Sequence, residues 1–175
     1  LAYNSAKAPL DDPRVRTALS RAIDSASLIA SQNGDGKALG GPITELEPGY
    51  ADLTAVNAYD PQAARDLLRE AGQENLNLTI TVPNHYDTAP LDLIKSQLAD
   101  VGVTITVKPV EFAEWIDRVY VDHAYQLSYV DHAEARDFGN YADPGYYFGY
   151  DDAEVQALYA QAMTTTSPAE EDGLL

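Results

Sequence analysis

The sequence of 175 residues contains no cysteine, which excludes disulfide bonds, thiol nucleophiles and cysteine-ligated zinc. Basic residues are also scarce: 11 Lys and Arg stand against 28 Asp and Glu, giving a formal net charge of −17. Proteins that bind nucleic acid neutralise phosphates with clustered basic side chains, and the sequence offers no such cluster. No apolar run approaches the roughly 18 residues that span a bilayer. We therefore expect neither a nucleic-acid partner nor a membrane span.

The composition that remains is that of a folded domain. Apolar residues make up 45% of the sequence and charged residues 22%, close to the average for globular proteins. The length suits one domain, or at most two small ones, with enough chain to bury a core. The net charge alone therefore does not predict disorder.

The centre of the sequence predicts a parallel sheet. Apolar and polar residues alternate over 76–82 and 103–107, as in half-buried strands. A helical stripe over 91–101 separates them, and a second helix over 112–119 leads to a third strand at 125–130. Crossovers of this length join parallel strands by right-handed connections. The predicted fold class is α/β, with a mostly parallel βαβαβ sheet flanked by helices.

Further helices are indicated by carboxylates that precede them. Aspartates come just before apolar helical stripes over 13–33, 61–71 and 153–162, and Asp at such a position caps the free backbone N–H groups. The segment 35–59 is rich in Gly and Pro and is interpreted as a surface excursion without regular structure.

The sheet predicts where a ligand would bind. In an open parallel sheet, ligands lie beyond the carboxyl ends of the strands, where neighbouring loops converge. Three segments qualify: 83–88, 108–111 and 131–150. The last is the longest and holds most of the polar and aromatic side chains, so we expect the site there.

Catalytic chemistry finds little support in these residues. Glu134 and Asp137 could act as acid and base in a hydrolase, but their sequence spacing does not fix the separation that such a pair requires. The acidic residues and His132 lack a recognised metal-ligand spacing, and no phosphate loop or nucleophile motif occurs. We predict no enzyme, metal or cofactor. A protein-interaction module that uses the tyrosine-rich segment 138–150 is a second alternative.

The order of motifs resembles the dipeptide and oligopeptide group of bacterial extracellular solute-binding proteins. The likeness covers the whole sequence and rests on short runs of residues at the same order and spacing: Leu1-Ala2-Tyr3-Asn4, Arg14-Val15-Arg16-Thr17-Ala18-Leu19, Gly41-Pro42-Ile43, Tyr59-Asp60-Pro61 and Asn140-Tyr141-Ala142-Asp143-Pro144.

This resemblance implies a non-enzymatic receptor with a two-lobed, type II periplasmic-binding-protein-like fold. Residues 1–175 would be a single lobe of a longer receptor, which closes on a small peptide or similar solute and delivers it to the permease of an ABC importer. It further implies a monomer outside the cytoplasm, anchored by a lipid on an N-terminal part that precedes this segment.

The resemblance also assigns residues to the site. Family members carry Gly-Trp after the third strand, followed by an Asp that pairs with the peptide amine. Counting back without gaps from Asn140 places Glu134 at that Asp, whereas a shift of one residue places His132 at the Trp. We expect Glu134 or Asp137 to face a cationic group of the solute, and Arg136 to face a carboxylate or a structural partner. The apolar walls are assigned to His132, Tyr141 and Tyr147.

Overall fold

A computed structural model describes residues 1–132 and 136–175. A four-stranded sheet in the order β1-β4-β2-β3 forms its centre. Strand β2 pairs in parallel with both β3 and β4, which confirms the predicted mostly parallel α/β fold. The strands are β1 (Ala2–Tyr3), β2 (Leu76–Pro83), β3 (Val103–Val110) and β4 (Leu127–Ser128).

Seven α-helices surround the sheet in the described residues. Aspartates cap three of them as predicted, accepting hydrogen bonds from backbone N–H groups of the first turn. A π-helix, Ile116–Val121, continues directly from α5, and a short 3₁₀ helix spans Asp137–Tyr141. The α-helices are α1 (Pro13–Arg21), α2 (Ser25–Ser31), α3 (Pro61–Glu70), α4 (Ala89–Ala99), α5 (Phe112–Trp115), α6 (Ala153–Ala162) and α7 (Pro168–Leu174).

The prediction of one continuous helix over 13–33 is wrong. The chain ends α1 at Arg21 and starts α2 at Ser25. Asp24 adopts an extended conformation with ψ of 97°, and its carboxylate accepts from the backbone N of Ala26 at 3.0 Å. This side chain therefore caps a new helix within a stripe whose apolar spacing alone suggested continuity.

The sheet edge also differs from the prediction. The third strand was expected over 125–130, but only Leu127 and Ser128 pair with β2. On the other side of β4, β1 adds an antiparallel strand, with Ala2 opposite Ser128 and Tyr3 opposite Leu127. Two residues paired across more than 120 positions leave no local pattern that sequence reasoning can detect.

Two buried clusters fill the interior. The larger one is mostly aliphatic and lies between the sheet and helices α1, α3 and α4, with Leu19, Ile80 and Leu98 fully buried. The smaller one is aromatic and includes Trp115 and Tyr147. Residues 35–59 contain turns but no helix or strand. In the described part of the chain, no helix has the length and hydropathy to cross a membrane.

Candidate functional site

The segments that follow β2, β3 and β4 meet at one edge of the sheet. The backbone N of Asn84, just after β2, donates to the carbonyl of Val110 at the end of β3 at 2.8 Å. The backbone N of Asp131, after β4, donates to the hydroxyl of Tyr86 at 3.3 Å. Because all three strands run in the same direction, their carboxyl ends converge at this edge.

An open groove of about 270 Å³ lies at this edge, and we call it the aromatic groove. It takes lining residues from all three segments, and Val130 and Asp131 contribute where β4 leaves the sheet. Most of the groove is formed by rings: Tyr86, Phe112, Trp115, Tyr120, His132 and Tyr146.

Two of these rings are fixed by α5. Phe112 and Trp115 stand three residues apart on the helix and stack in parallel, with centroids 5.9 Å apart and an interplanar angle of 3°. The indole N–H of Trp115 donates to the hydroxyl of Ser128 at 2.9 Å, and both side chains are buried. Phe112 is 49% exposed. The buried Trp115 therefore anchors a ring that faces solvent.

A second cavity of about 140 Å³, which we call the polar pocket, adjoins the aromatic groove. Asp137, Asn140 and Tyr141 line it, and it shares Val130 and His132 with the groove. The imidazole of His132 therefore belongs to both cavities.

The position of His132 depends on Tyr147. Nε2 of His132 lies 2.6 Å from the Tyr147 hydroxyl, and the two rings stack at 5.9 Å with an interplanar angle of 13°. Tyr147 is only 1% exposed and lines neither cavity. Burial raises the pKa of its hydroxyl well above the ordinary value. In this structure Tyr147 supports the wall from beneath, instead of forming the wall itself as we expected.

Asp137 and Tyr141 lie together on the 3₁₀ helix. Nδ2 of Asn140 donates to Oδ1 of Asp137 at 3.4 Å. Burial raises the pKa of Tyr141, and the Asp137 carboxylate raises it further. These two predicted site residues therefore share the polar pocket with His132.

Arg136 lines neither cavity. The backbone of Arg136 is in the left-handed conformation, with φ of 62°. Nη1 of its side chain donates to the carboxylate of Glu171 on α7 at 2.9 Å. Its backbone N donates to the carboxylate of Glu47 at 3.1 Å. Of the two roles predicted for Arg136, this geometry corresponds to the structural partner.

Glu134, one of the two carboxylates of the hydrolase alternative, lies outside the described residues. Within residues 1–132 and 136–175, no group of three or more His, Asp or Glu side chains could hold a metal ion.

The tyrosine-rich segment 138–150 packs mainly against the protein itself. Tyr147 and Phe148 are buried, and the ring of Tyr141 lies 5.1 Å from that of Phe148. This packing disfavours the flat aromatic contact patch that an interaction module would require.

Sequence reasoning missed the rings that the first two loops supply. Tyr86 lies in the segment after β2 that was expected to border the site, but no residue there was singled out. Phe112 and Trp115 were interpreted only as the apolar face of a helix. The sequence did contain one signal for these rings. The helix begins directly after β3, so its first turn lies at the carboxyl edge of the sheet, where ligands bind.

The fold as a whole is shared with solved structures. HbpA2 from Haemophilus parasuis superimposes with a TM-score of 0.89 and 20% sequence identity, over 99% of this chain and 38% of that protein. The sheet order and the loops at its carboxyl edge thus define one part of a periplasmic-binding-protein-like fold.

The sequence comparisons identify the family. Residues 1–159 match the family described as "Bacterial extracellular solute-binding proteins, family 5 Middle". This match covers most of the chain, and the chain belongs to that family.

Individual relatives are similar over part of their length. SapA of Escherichia coli (strain K12), a probable ABC transporter periplasmic-binding protein, is 34% identical over 63% of this chain and 22% of its own length. Di/tripeptide-binding protein 2 of Pseudomonas aeruginosa is 33% identical over 80% of this chain and 28% of its own. The chain therefore spans no more than about 28% of either relative.

Proposed function

We propose that residues 1–175 form one lobe of a solute receptor that captures a small peptide for an ABC importer, with 35–59 as a surface excursion of that lobe. The convergence of three strand ends on the aromatic groove and the polar pocket carries this proposal. Rings at the rim, such as Phe112 and Tyr120, are nearly half exposed, as expected for one half of a cleft. Family membership and the similarity to a di/tripeptide-binding protein support a peptide as the solute.

The second half of the cleft belongs to a lobe outside these residues. A ligand bound to this surface alone makes only part of its contacts, yet its association still costs rotational and translational freedom. Closure of a second lobe over the groove supplies the remaining contacts, so the ligand favours the closed state. The importer permease then distinguishes the closed receptor from the open one.

Specific residues have distinct roles in this proposal. Asp137 at the polar pocket, or Glu134 three positions before it in sequence, pairs with the peptide amine. His132 and Tyr141 form the walls, and Tyr147 holds His132 in place through its hydroxyl. The net charge of −17 favours a cationic group at this surface over an anionic one.

The receptor acts outside the cytoplasm as a monomer, held by a lipid on a preceding segment, and uses no catalytic group or cofactor. The family description names extracellular proteins, and SapA is named as a periplasmic-binding protein. Both names support the location.

Calorimetric titration of the full-length receptor with dipeptides and tripeptides tests the proposal. The Glu134→Ala, Asp137→Ala double variant should bind at least about tenfold more weakly, because an amine loses its charged partner. The matched control is Asp122→Ala, Glu154→Ala, which removes two exposed acids that line neither cavity.

The possible outcomes separate two parts of the proposal. Unchanged affinity in the Glu134→Ala, Asp137→Ala variant would remove these carboxylates from the site but keep the receptor function. The absence of binding by any peptide to the unmodified receptor would contradict a peptide as its solute.

A further inference from the structure

We propose that the aromatic groove is a subsite for a guanidinium side chain of the bound peptide. This inference rests on the proposed function and specifies the chemistry of the ligand. It concerns a side chain of the peptide, and the groove is a separate cavity from the polar pocket assigned to the peptide amine.

The rings of the groove provide the first argument. A cation within about 6 Å of an aromatic centroid is attracted by the negative face of the ring, and Phe112 and Tyr120 are nearly half exposed in this groove. Phe112 and Trp115 stack in parallel, and Tyr120 meets Tyr146 edge to face at 5.9 Å. A planar guanidinium stacks on such faces and is more weakly hydrated than an ammonium ion, so its desolvation in the groove costs less.

The distribution of charge provides the second argument. Among the described residues that line the groove, Asp131 is the only one with a formal charge, and there is no Lys or Arg. The hydrogen bond from its backbone N to Tyr86 keeps Asp131 at the groove. Lys108 and Arg118 both contact the carboxylate of Glu114. The groove therefore offers an anion and aromatic faces, with no Lys or Arg side chain among the described residues that line it.

The size of the groove limits what it can accept. Its volume of about 270 Å³ lies below the range of about 300–1,000 Å³ typical of pockets that enclose a whole ligand. One long side chain fits this volume better than a complete peptide does. The remainder of the peptide would continue into the adjoining polar pocket, which shares His132 with the groove.

A set of tripeptides tests this assignment on the full-length receptor. Arginine is placed at the first, second or third position among alanines, and each peptide is compared with its citrulline counterpart, which keeps nearly the same shape but has no charge. The tripeptide Ala-Phe-Ala serves as the probe for an aromatic occupant of the groove. We expect arginine to bind about tenfold more tightly than citrulline at one position or more.

Two substitutions assign the preference to the groove. Asp131→Asn removes the charge but keeps the backbone donor to Tyr86, and Phe112→Leu removes an exposed ring but keeps an apolar side chain. Each should reduce the ratio of arginine to citrulline affinity to threefold or less. Asp122→Asn removes an equal charge outside the groove and should leave the ratio unchanged. Circular dichroism verifies that each variant is folded.

The inference is overturned if arginine and citrulline bind within threefold of each other at every position in the unmodified receptor. It is also overturned if the preference persists in both groove variants, or if Ala-Phe-Ala binds more tightly than any arginine peptide. Equal binding of charged and neutral peptides would contradict this subsite alone. Binding of no peptide would contradict the proposed function as well.

Discussion

The two buried clusters of this protein differ in chemistry and in their distance from the site. The aliphatic cluster contains side chains such as Leu19, Ile80 and Leu98, which carry no polar atoms. The aromatic cluster lies beneath the two cavities and contains Trp115, Tyr125 and Tyr147. Aliphatic packing stabilises the fold without directional bonds, whereas each of these three rings also carries a polar atom.

The polar atoms of the aromatic cluster form specific links. Trp115 donates to Ser128 of β4, the hydroxyl of Tyr125 donates to the carbonyl of Tyr147 at 2.8 Å, and the hydroxyl of Tyr147 bonds to His132. These bonds fix the orientation of side chains between the sheet and the cavities. We infer that the aliphatic cluster supplies stability and that the aromatic cluster positions the site.

The largest effect is expected from a cavity in the aliphatic cluster. Ile80 is fully buried on β2, between β4 and β3. Ile80→Ala should lower the free energy of unfolding by about 2–5 kcal/mol, through lost burial and the cavity left behind. Chemical denaturation measures this loss. Ile80→Val is the control, with an expected loss of about 0.5–1.5 kcal/mol, and equal losses in the two variants would contradict the assignment of Ile80 to a tightly packed core.

The next largest effect is a loss of stability at alkaline pH, which we expect from the tyrosines of the aromatic cluster. Burial raises the pKa of Tyr125 and Tyr147 above the ordinary value of 10.0, so the folded state holds these protons after the unfolded state has released them. Their contribution to stability is complete below pH 10 and falls as the pH rises further. Each of these tyrosines should lower the free energy of unfolding by about 1.4 kcal/mol per pH unit above 10.

Denaturation at pH 9, 10 and 11 measures this dependence. Tyr147→Phe removes one of several tyrosines whose pKa is raised by burial, Tyr125 and Tyr141 among them, and should reduce the alkaline loss of unfolding free energy by about 1.4 kcal/mol per pH unit above 10. An identical alkaline loss in this variant and in the unmodified chain would show that the buried hydroxyl of Tyr147 does not contribute.

A smaller effect is expected from Tyr147→Phe at neutral pH. The substitution keeps the ring but removes the hydroxyl that bonds to His132, which should cost about 1 kcal/mol of stability. Peptide affinity of the full-length receptor should fall as well, because His132 loses its support. Tyr59→Phe is the control, since Tyr59 is 50% exposed and lines neither cavity. A loss of stability with unchanged affinity would show that His132 keeps its position without this bond.

Local patterns predicted the central part of the fold well. The alternation in β2 and β3 and the stripe of α4 each depend on neighbouring residues, and the structure confirms all three. Interactions between distant residues escaped prediction. The pairing of β1 with β4 joins Ala2 to Ser128. The π-helix at 116–121 differs from an α-helix in its hydrogen bonding, but the spacing of its apolar residues does not reveal this difference.

The candidate site was predicted only in part. His132, Asp137 and Tyr141 come from one loop and do lie around one pocket. Arg136 lies in the same loop, but its backbone is left-handed and its side chain contacts Glu171 instead of the pocket. Sequence proximity within a loop does not determine the direction of a side chain, because each backbone dihedral changes it.

Hydrogen–deuterium exchange of the full-length receptor, with and without a saturating tripeptide, tests the central claim most directly. If the carboxyl edge of this sheet forms half of the ligand cleft, amide exchange should slow in 83–88, 111–121 and 136–150 when the ligand binds. Exchange in α3 (Pro61–Glu70), which lines neither cavity, should stay the same. Protection confined to α3, or unchanged exchange along the carboxyl edge despite measured binding, would contradict the claim.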